Sequence, residues 1–297
     1  MKEEWRYGNA KRYVPFDEMR RRNMECKLDR ISVNYHICGE GQPILMLHGF
    51  YPDHRLMTGC MEPIFTHRSG WQRIYLDLPG MGKTKGESWI RNSDDILEIV
   101  VDFIDKVIPN QHFLIVGESY GGYLTQGLVT RKREFIDGMV LICPVVIPNS
   151  SQRNVPEPNV LAKDIDVLSS LTKDEANEFE SMAVVQNQKN WERFRDEILS
   201  GVLVADGLFL DRIQQDGYEF SFKIHSLSEP FLKPTLIITG RQDSCVGYRD
   251  SWDIIENYPR GTFAVLDMAG HNLQIEQATL FKTMIDEWLN RVEEFKD

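Results

Sequence analysis

Short apolar runs alternate with longer amphipathic segments through most of this chain. Apolar runs of strand length occupy residues 31–37, 44–47, 73–76, 113–116, 139–143, 235–239 and 262–266. Helical spacing of apolar positions occupies residues 93–107, 120–131 and 271–292. Continuous apolar runs that alternate with helices are typical of a mostly parallel sheet whose two faces are both covered by helices. The pattern therefore predicts an α/β fold.

This alternation stops between residues 147 and 232. The stretch opens with a Pro/Asn/Ser-rich segment and then carries helical patterns without a clear buried strand. We expect residues 147–232 to form a helical cap, inserted into one core domain made of residues 1–146 and 233–297. Its large apolar residues either line a pocket or, more commonly, form the cap's own core. These candidates are Trp191, Phe194, Leu203, Leu208 and Phe209.

Composition and charge narrow the range of partners. The chain of 297 residues has a net charge of -11, which repels nucleic acid and anionic membrane surfaces. Its five cysteines form no CxxC pair, so neither a zinc site nor a disulfide framework is expected. The polar N-terminal segment has no apolar core of a signal peptide, and no run is long enough to span a bilayer. We expect a cytoplasmic protein that binds a small molecule.

The strongest local motif lies directly after the apolar run at residues 113–116. It is Gly117-Glu118-Ser119-Tyr120-Gly121, a G-x-S-x-G sequence between a predicted strand and a predicted helix. In this context the serine sits on a sharp turn that lifts its hydroxyl above the sheet, and small residues on both sides give the turn room. Ser119 is therefore the candidate nucleophile.

A serine hydroxyl needs a neighbouring base, and the base needs an acid to orient it. His271 follows the predicted strand at 262–266, and Asp243 follows the predicted strand at 235–239. Asp267 competes for the role of acid, but we prefer Asp243, because it would reach the histidine from a neighbouring strand end. The order Ser119, Asp243, His271, each just after a strand, predicts a catalytic triad.

Two backbone N–H groups complete the predicted site. Acyl transfer through a serine needs donors for the negatively charged oxygen of the tetrahedral intermediate. Tyr120 directly follows the candidate nucleophile, and Phe50 follows His48-Gly49 after the apolar run at 44–47. We expect the N–H groups of Phe50 and Tyr120 to form this oxyanion hole, with His48 in a structural role.

Taken together, the motifs resemble those of the α/β-hydrolase superfamily, in its capped, epoxide-hydrolase-like branch. They lie at residues 48–50, 77–82, 117–122, 240–243 and 270–271. The resemblance implies an eight-stranded, mostly parallel sheet with a helical cap inserted before the antepenultimate or penultimate strand. Ser119 stands where epoxide hydrolases and haloalkane dehalogenases carry an aspartate, and Phe50-Tyr51-Pro52 departs from the pattern of prolyl iminopeptidases.

We therefore predict a serine hydrolase that acts on a small ester-like substrate through an acyl-serine, in the manner of a carboxylesterase, with neither metal nor cofactor. The same triad also serves C–C bond hydrolases, lactonases, thioesterases and acyltransferases, and the motifs do not choose among them. A ligand-binding receptor without turnover is a further alternative. Both a monomer and a homodimer are compatible with the sequence.

Overall fold

An eight-stranded sheet forms the centre of the computed structural model, which describes residues 22–224, 227 and 229–294. The strands, in chain order, are β1 (Arg22–Lys27), β2 (Ser32–Cys38), β3 (Gln42–Leu47), β4 (Trp71–Leu76), β5 (Phe113–Glu118), β6 (Ile136–Ile142), β7 (Ala162–Lys163), β8 (Val185–Gln186), β9 (Thr235–Gly240) and β10 (Gly261–Leu266). The order in the sheet is β1-β2-β4-β3-β5-β6-β9-β10, while β7 and β8 pair with each other. Strands β1 and β2 run antiparallel to their neighbours and the others run parallel, which confirms the predicted fold class.

Helices accompany this sheet throughout the described part of the chain. The helices are α1 (His54–Phe65), α2 (Ser93–Val107), α3 (Tyr120–Lys132), α4 (Ile165–Ser170), α5 (Lys173–Met182), α6 (Gln188–Phe194), α7 (Ser200–Val202), α8 (Gly207–Asp216), α9 (Arg249–Asp253), α10 (Leu273–Glu276) and α11 (Ala278–Glu294). Helix α1 packs on α11, and α2 packs on α3. Strands β3 and β5, at the centre of the sheet, are almost entirely buried, as their unbroken apolar runs predict. No helix in the described ranges is long and apolar enough to cross a bilayer.

The C-terminal helix differs from the single helix predicted over residues 271–292. Gln277 leaves helical geometry, with φ −119°, and separates α10 from α11. Its side-chain amide donates to the backbone carbonyl oxygen of Asp267, at 2.9 Å. The apolar spacing continues across the break, so the pattern alone does not reveal it. His271 therefore lies in a loop ahead of the helices and not inside one.

Strand β1 and helix α1 are elements that the pattern did not predict. Helix α1 begins after Asp53, whose side chain accepts a hydrogen bond from the Arg55 backbone N–H, and it contains Pro63. Gly59 weakens the helical signal further, because glycine is a poor helix former. The structure gives its reason, since a Cβ at Gly59 would lie 2.3 Å from the Glu197 carboxylate of the inserted segment.

The inserted segment holds helices α4 to α8, with a π-helical turn at Arg195–Leu199. It also contains β7 and β8, strands of two residues each that the pattern did not predict. The segment ends before β9, the penultimate strand of the sheet. Its division from the core at residues 147 and 232 stays a prediction.

The candidate lining residues of this segment have different fates. Trp191, Phe194 and Phe209 are buried, at 4%, 3% and 5% exposure, whereas Leu203 and Leu208 are 76% and 88% exposed. The prediction that Leu203 and Leu208 line a pocket or lie in the core of the cap is therefore wrong. Helical spacing alone cannot say which apolar side chain of an amphipathic segment faces inward.

Phe209 anchors α8 to the core through two glycines. A Cβ at Gly80 or Gly86 would lie 2.3 or 2.4 Å from its ring, so only glycine leaves room for the phenyl group. The backbone N–H of Asp206 also donates to the Gly80 carbonyl oxygen, at 2.8 Å. Through Gly80, the predicted motif at residues 77–82 thus forms part of the surface on which α8 packs.

Phe209→Ala should reduce the free energy of unfolding by about 3–5 kcal/mol, since it removes a buried ring and leaves a cavity between α8 and the core. Leu208→Ala, one residue away on the exposed side, should change it by less than about 0.5 kcal/mol. Urea unfolding followed by circular dichroism measures both. Equal effects of the two substitutions would contradict this packing.

Candidate active site

Ser119 occupies a tight turn between β5 and α3. Its φ is 51° and its ψ is −112°, a left-handed backbone conformation that residues other than glycine rarely adopt. A Cβ at Gly117 would lie 2.3 Å from the Gly121 carbonyl oxygen, and a Cβ at Gly121 would lie 2.2 Å from the Leu47 carbonyl oxygen. The glycines that flank the serine are therefore sterically required, and the turn has the strained geometry that the motif predicts.

The structure brings the three predicted catalytic residues into one hydrogen-bonded chain. The Ser119 hydroxyl oxygen lies 2.9 Å from His271 Nε2. His271 Nδ1 lies 2.9 Å from Asp243 Oδ2. A carboxylate can only accept a hydrogen bond, so His271 Nδ1 carries the proton that it donates to Asp243. Nε2 is then free to accept the hydroxyl proton.

Asp243 is fixed by its own backbone environment. It is fully buried, and its second oxygen, Oδ1, accepts hydrogen bonds from the N–H groups of Cys245 and Val246 at 2.8 and 3.0 Å. Asp267, the competing acid, bonds instead to the Gln242 side chain at 2.9 Å. The structure therefore joins Asp243, and not Asp267, to His271.

The charges of the buried pair depend on each other. Burial disfavours the imidazolium of His271, but the Asp243 carboxylate outweighs that effect, and the pKa of His271 is raised well above its ordinary value. Burial also disfavours the Asp243 carboxylate, yet His271 and the two backbone N–H groups lower the pKa of Asp243 overall. Asp243 is thus ionised at neutral pH and stabilises a positive charge on His271.

Glu118 is a buried acid beside the triad that sequence reasoning did not identify. It is 2% exposed, and its Oε1 lies 3.6 Å from His271 Nε2. Burial raises the pKa of Glu118 to about 7, although His271 and the Gly49 backbone N–H favour its charged form. The sequence shows only that Glu118 fills a variable position of the motif, which is no signal for a charge contact.

Glu276 is a second acid that the sequence did not reveal. One of its carboxylate oxygens accepts the Gly270 N–H at 2.6 Å, and the other accepts the N–H groups of Val184 and Val185 at 2.6 and 3.0 Å. This single side chain joins the loop that carries His271 to the inserted segment. Its position at the end of the short α10 depends on the helix break at Gln277.

A cavity of about 340 Å³ adjoins the Ser119 hydroxyl, at the low end of the range for ligand pockets. Residues from the core and from the inserted segment line it together. Its apolar part is formed by Phe50, Leu56, Phe194, Ile198, Leu199 and Val202. Phe194 is therefore both buried in the inserted segment and in contact with the cavity. The polar lining includes Glu118, Glu178 and Asn272.

Of the two predicted oxyanion residues, Phe50 lines this cavity. Its ring packs edge-on against that of Tyr120, with ring centroids 5.0 Å apart. Tyr120 is the first residue of α3, so its N–H belongs to a helix N-terminus, where negative charge is favoured. His48 is fully buried, and its Nε2 accepts the Leu78 N–H at 3.0 Å, as expected for a structural residue.

Two groups of side chains have the spacing of metal ligands. They are Cys143, Asp243 and His271, and Asp53, His54 and Asp77. In each group a histidine Nδ1 lies within hydrogen-bond distance of a carboxylate oxygen, at 2.9 Å for His271 and 2.7 Å for His54. Hydrogen bonds therefore account for the close approach in both.

Asp243→Asn should lower the pKa of His271, because it removes the carboxylate that stabilises the imidazolium. Asp267→Asn should leave that pKa unchanged, although it removes an equal charge from the neighbouring strand end. A pH titration of the histidine ring signals by NMR measures both, with His271 assigned from the signal lost in His271→Ala. A larger effect from Asp267→Asn would show that the acid is misassigned.

Comparisons with known proteins agree with this fold. The model of the α/β-hydrolase fold family matches residues 42–278. Among curated proteins, a pimeloyl-[acyl-carrier protein] methyl ester esterase of Legionella pneumophila is 22% identical over 86% of this chain and 100% of its own length. A 2-hydroxymuconate semialdehyde hydrolase of Pseudomonas putida is 22% identical over 86% of this chain and 90% of its own length.

The solved structures give the same picture. An α/β superfamily hydrolase from Oenococcus oeni superposes with a TM-score of 0.82 and 30% identity, over 91% of this chain and 99% of that one. The family match spans well over half of the chain, and the sheet order, the turn at Ser119 and the Ser119–His271–Asp243 contacts are in place. The chain therefore belongs to the α/β-hydrolase fold family and is a hydrolase.

Proposed function

We propose that this protein hydrolyses a carboxylic ester through a covalent acyl-Ser119 intermediate. The observation that carries the proposal is the chain of two 2.9 Å contacts from the Ser119 hydroxyl through His271 to the buried Asp243. A hydroxyl becomes a competent nucleophile when a base of suitable orientation takes its proton. The base and its correct orientation are both present, and they lie beside a cavity that is large enough for a small ester.

In the acylation step, the Ser119 oxygen attacks the ester carbonyl while its proton passes to His271 Nε2. The imidazolium that forms is stabilised by Asp243, which stays ionised and holds the ring in one tautomer. His271 then returns the proton to the departing alcohol oxygen as the C–O bond breaks. The acyl group remains on Ser119.

The negative charge on the carbonyl oxygen needs donors that are already in place. We assign this role to the N–H groups of Phe50 and Tyr120, since Phe50 lines the cavity together with Ser119, and Tyr120 follows Ser119 in the chain and begins α3. Glu118 is buried close by, and a fully charged carboxylate there would oppose the developing oxyanion. Its raised pKa, about 7, reduces that opposition at neutral pH and below.

Deacylation repeats the sequence with water. His271 removes a proton from a water molecule, which attacks the acyl carbonyl, and then returns the proton to Ser119. We assign residues 147–232 the role of a cap over this reaction, because Phe194, Ile198 and Leu199 of that segment line the cavity. An apolar roof limits access of bulk water and shapes the substrate site.

The relatives support ester hydrolysis and leave a second candidate. The Legionella protein is named as a methyl ester esterase, and the Pseudomonas protein as a semialdehyde hydrolase. A further relative, from Burkholderia vietnamiensis, is named as a dienedioate hydrolase. Hydrolysis of a C–C bond by the same Ser119 is therefore the second candidate. A dienoate-type diketone that is cleaved faster than any ester would favour it.

The proposal predicts that a fluorophosphonate probe labels the protein on Ser119. Ser119→Ala should abolish labelling and reduce kcat for p-nitrophenyl esters by about 10⁴-fold or more, and His271→Ala should do nearly the same, because the triad acts as a unit. Labelling is read on a gel, and kcat from p-nitrophenol release. Circular dichroism confirms that both variants are folded.

Cys245→Ala serves as the matched control, since the Cys245 backbone N–H donates to Asp243 and its thiol is an alternative nucleophile in the same loop. It should keep both labelling and turnover. Folded protein that is not labelled, or labelling that survives in Ser119→Ala, would contradict a serine hydrolase.

A further inference from the structure

The charged groups around the substrate cavity are acidic. Glu118, next to Ser119 in the chain, lines it from a buried position, and Glu178 of α5 lines it from an exposed position and so stands at its opening. None of the described residues that line the cavity is a lysine or an arginine. Within the described ranges, the Glu178 carboxylate has no ion-pair partner either. A ligand that enters this cavity therefore meets two acidic side chains, while the one histidine in the described lining, His271, is already paired with Asp243.

Much of the cavity lining is apolar. Its walls are the side chains of Leu56, Phe194, Ile198, Leu199 and Val202. Such walls lower the local dielectric constant, so the repulsion between a ligand's negative charge and the glutamates is screened less than in open water. A carboxylate placed here would also lose its hydration without gaining a lysine or arginine partner, since His271 is already paired with Asp243.

One polar group in the lining offers a neutral contact. Asn272, next to His271, is 5% exposed, and its Nδ2 has no hydrogen-bond partner among the described residues. A buried donor without a partner is costly, so a bound group that accepts a hydrogen bond would be stabilised there. An uncharged carbonyl or ether oxygen provides such an acceptor without the repulsion that a carboxylate would meet.

We propose that this cavity selects esters whose acyl group is uncharged, and that Glu178 and Glu118 exclude acyl groups that end in a carboxylate. This inference rests on the proposed ester hydrolysis, and it specifies the substrate class of the same site. Glu178 acts on the approach of the substrate, because it is exposed at the opening. Its effect should therefore weaken at high salt.

The test compares two substrates that differ in terminal charge and by one methyl group: the mono-p-nitrophenyl ester of adipic acid and the same compound with its free carboxylate capped as a methyl ester. The wild-type protein should favour the capped ester by at least about tenfold in kcat/KM, a discrimination within the range of a few contacts. Glu178→Gln should raise the ratio of kcat/KM for the charged ester to that for the capped ester about threefold or more.

Asp174→Asn is the matched control, because it removes one acidic charge from the same helix at a position that does not line the cavity. It should leave the preference between the two esters unchanged. Raising the salt concentration should narrow the preference of the wild-type protein more than that of Glu178→Gln.

Each outcome has a distinct meaning. Equal kcat/KM for the two esters, or a preference for the charged one, would overturn the selection while leaving ester hydrolysis intact. An unchanged preference in Glu178→Gln would overturn the role of Glu178. Hydrolysis of neither ester by folded protein would overturn the proposed function itself, and the inference with it.

Discussion

The steric constraint at Ser119 is the feature on which the rest of the site depends. A positive φ at this residue turns the chain from β5 into α3 within a single position, and the backbone of β3 closes in on the turn. Gly117 and Gly121 have no space for a Cβ, so the turn cannot relax without moving the central strands. Because those strands are fully buried, the position of the Ser119 hydroxyl is fixed by the core of the sheet.

Electrostatics then decide what this fixed hydroxyl can do. A buried aspartate that is held by two backbone N–H groups stays charged, and it makes His271 a stronger base. Glu276 holds the loop before His271 and the inserted segment through the same carboxylate. The loop that carries the base and residues 184–185 of the inserted segment are thereby held by one side chain, so a substitution in that segment can affect the base without contacting it.

The sequence predicts the sheet well, and also the turn at Ser119 and the place of Asp243 and His271 in the catalytic triad, because strand ends and tight turns carry local signals. It predicts α1 and the break at Gln277 poorly, since Gly59, Pro63 and Gln277 serve tertiary contacts that override local propensity. No local sequence signal points to Glu118, to Glu276 or to the unpaired side-chain donor of Asn272. Their roles arise from burial and from residues that are distant along the chain, as does the outward orientation of Leu203 and Leu208.

The central claim is that Ser119 carries the substrate's acyl group during turnover. Its most direct test is mass spectrometry of protein that is quenched in acid while it hydrolyses p-nitrophenyl acetate, followed by peptide mapping. The account predicts one acetyl group on the peptide that contains Ser119, which disappears once the substrate is exhausted. Continued turnover with the acetyl group on another residue, or on none, would contradict it.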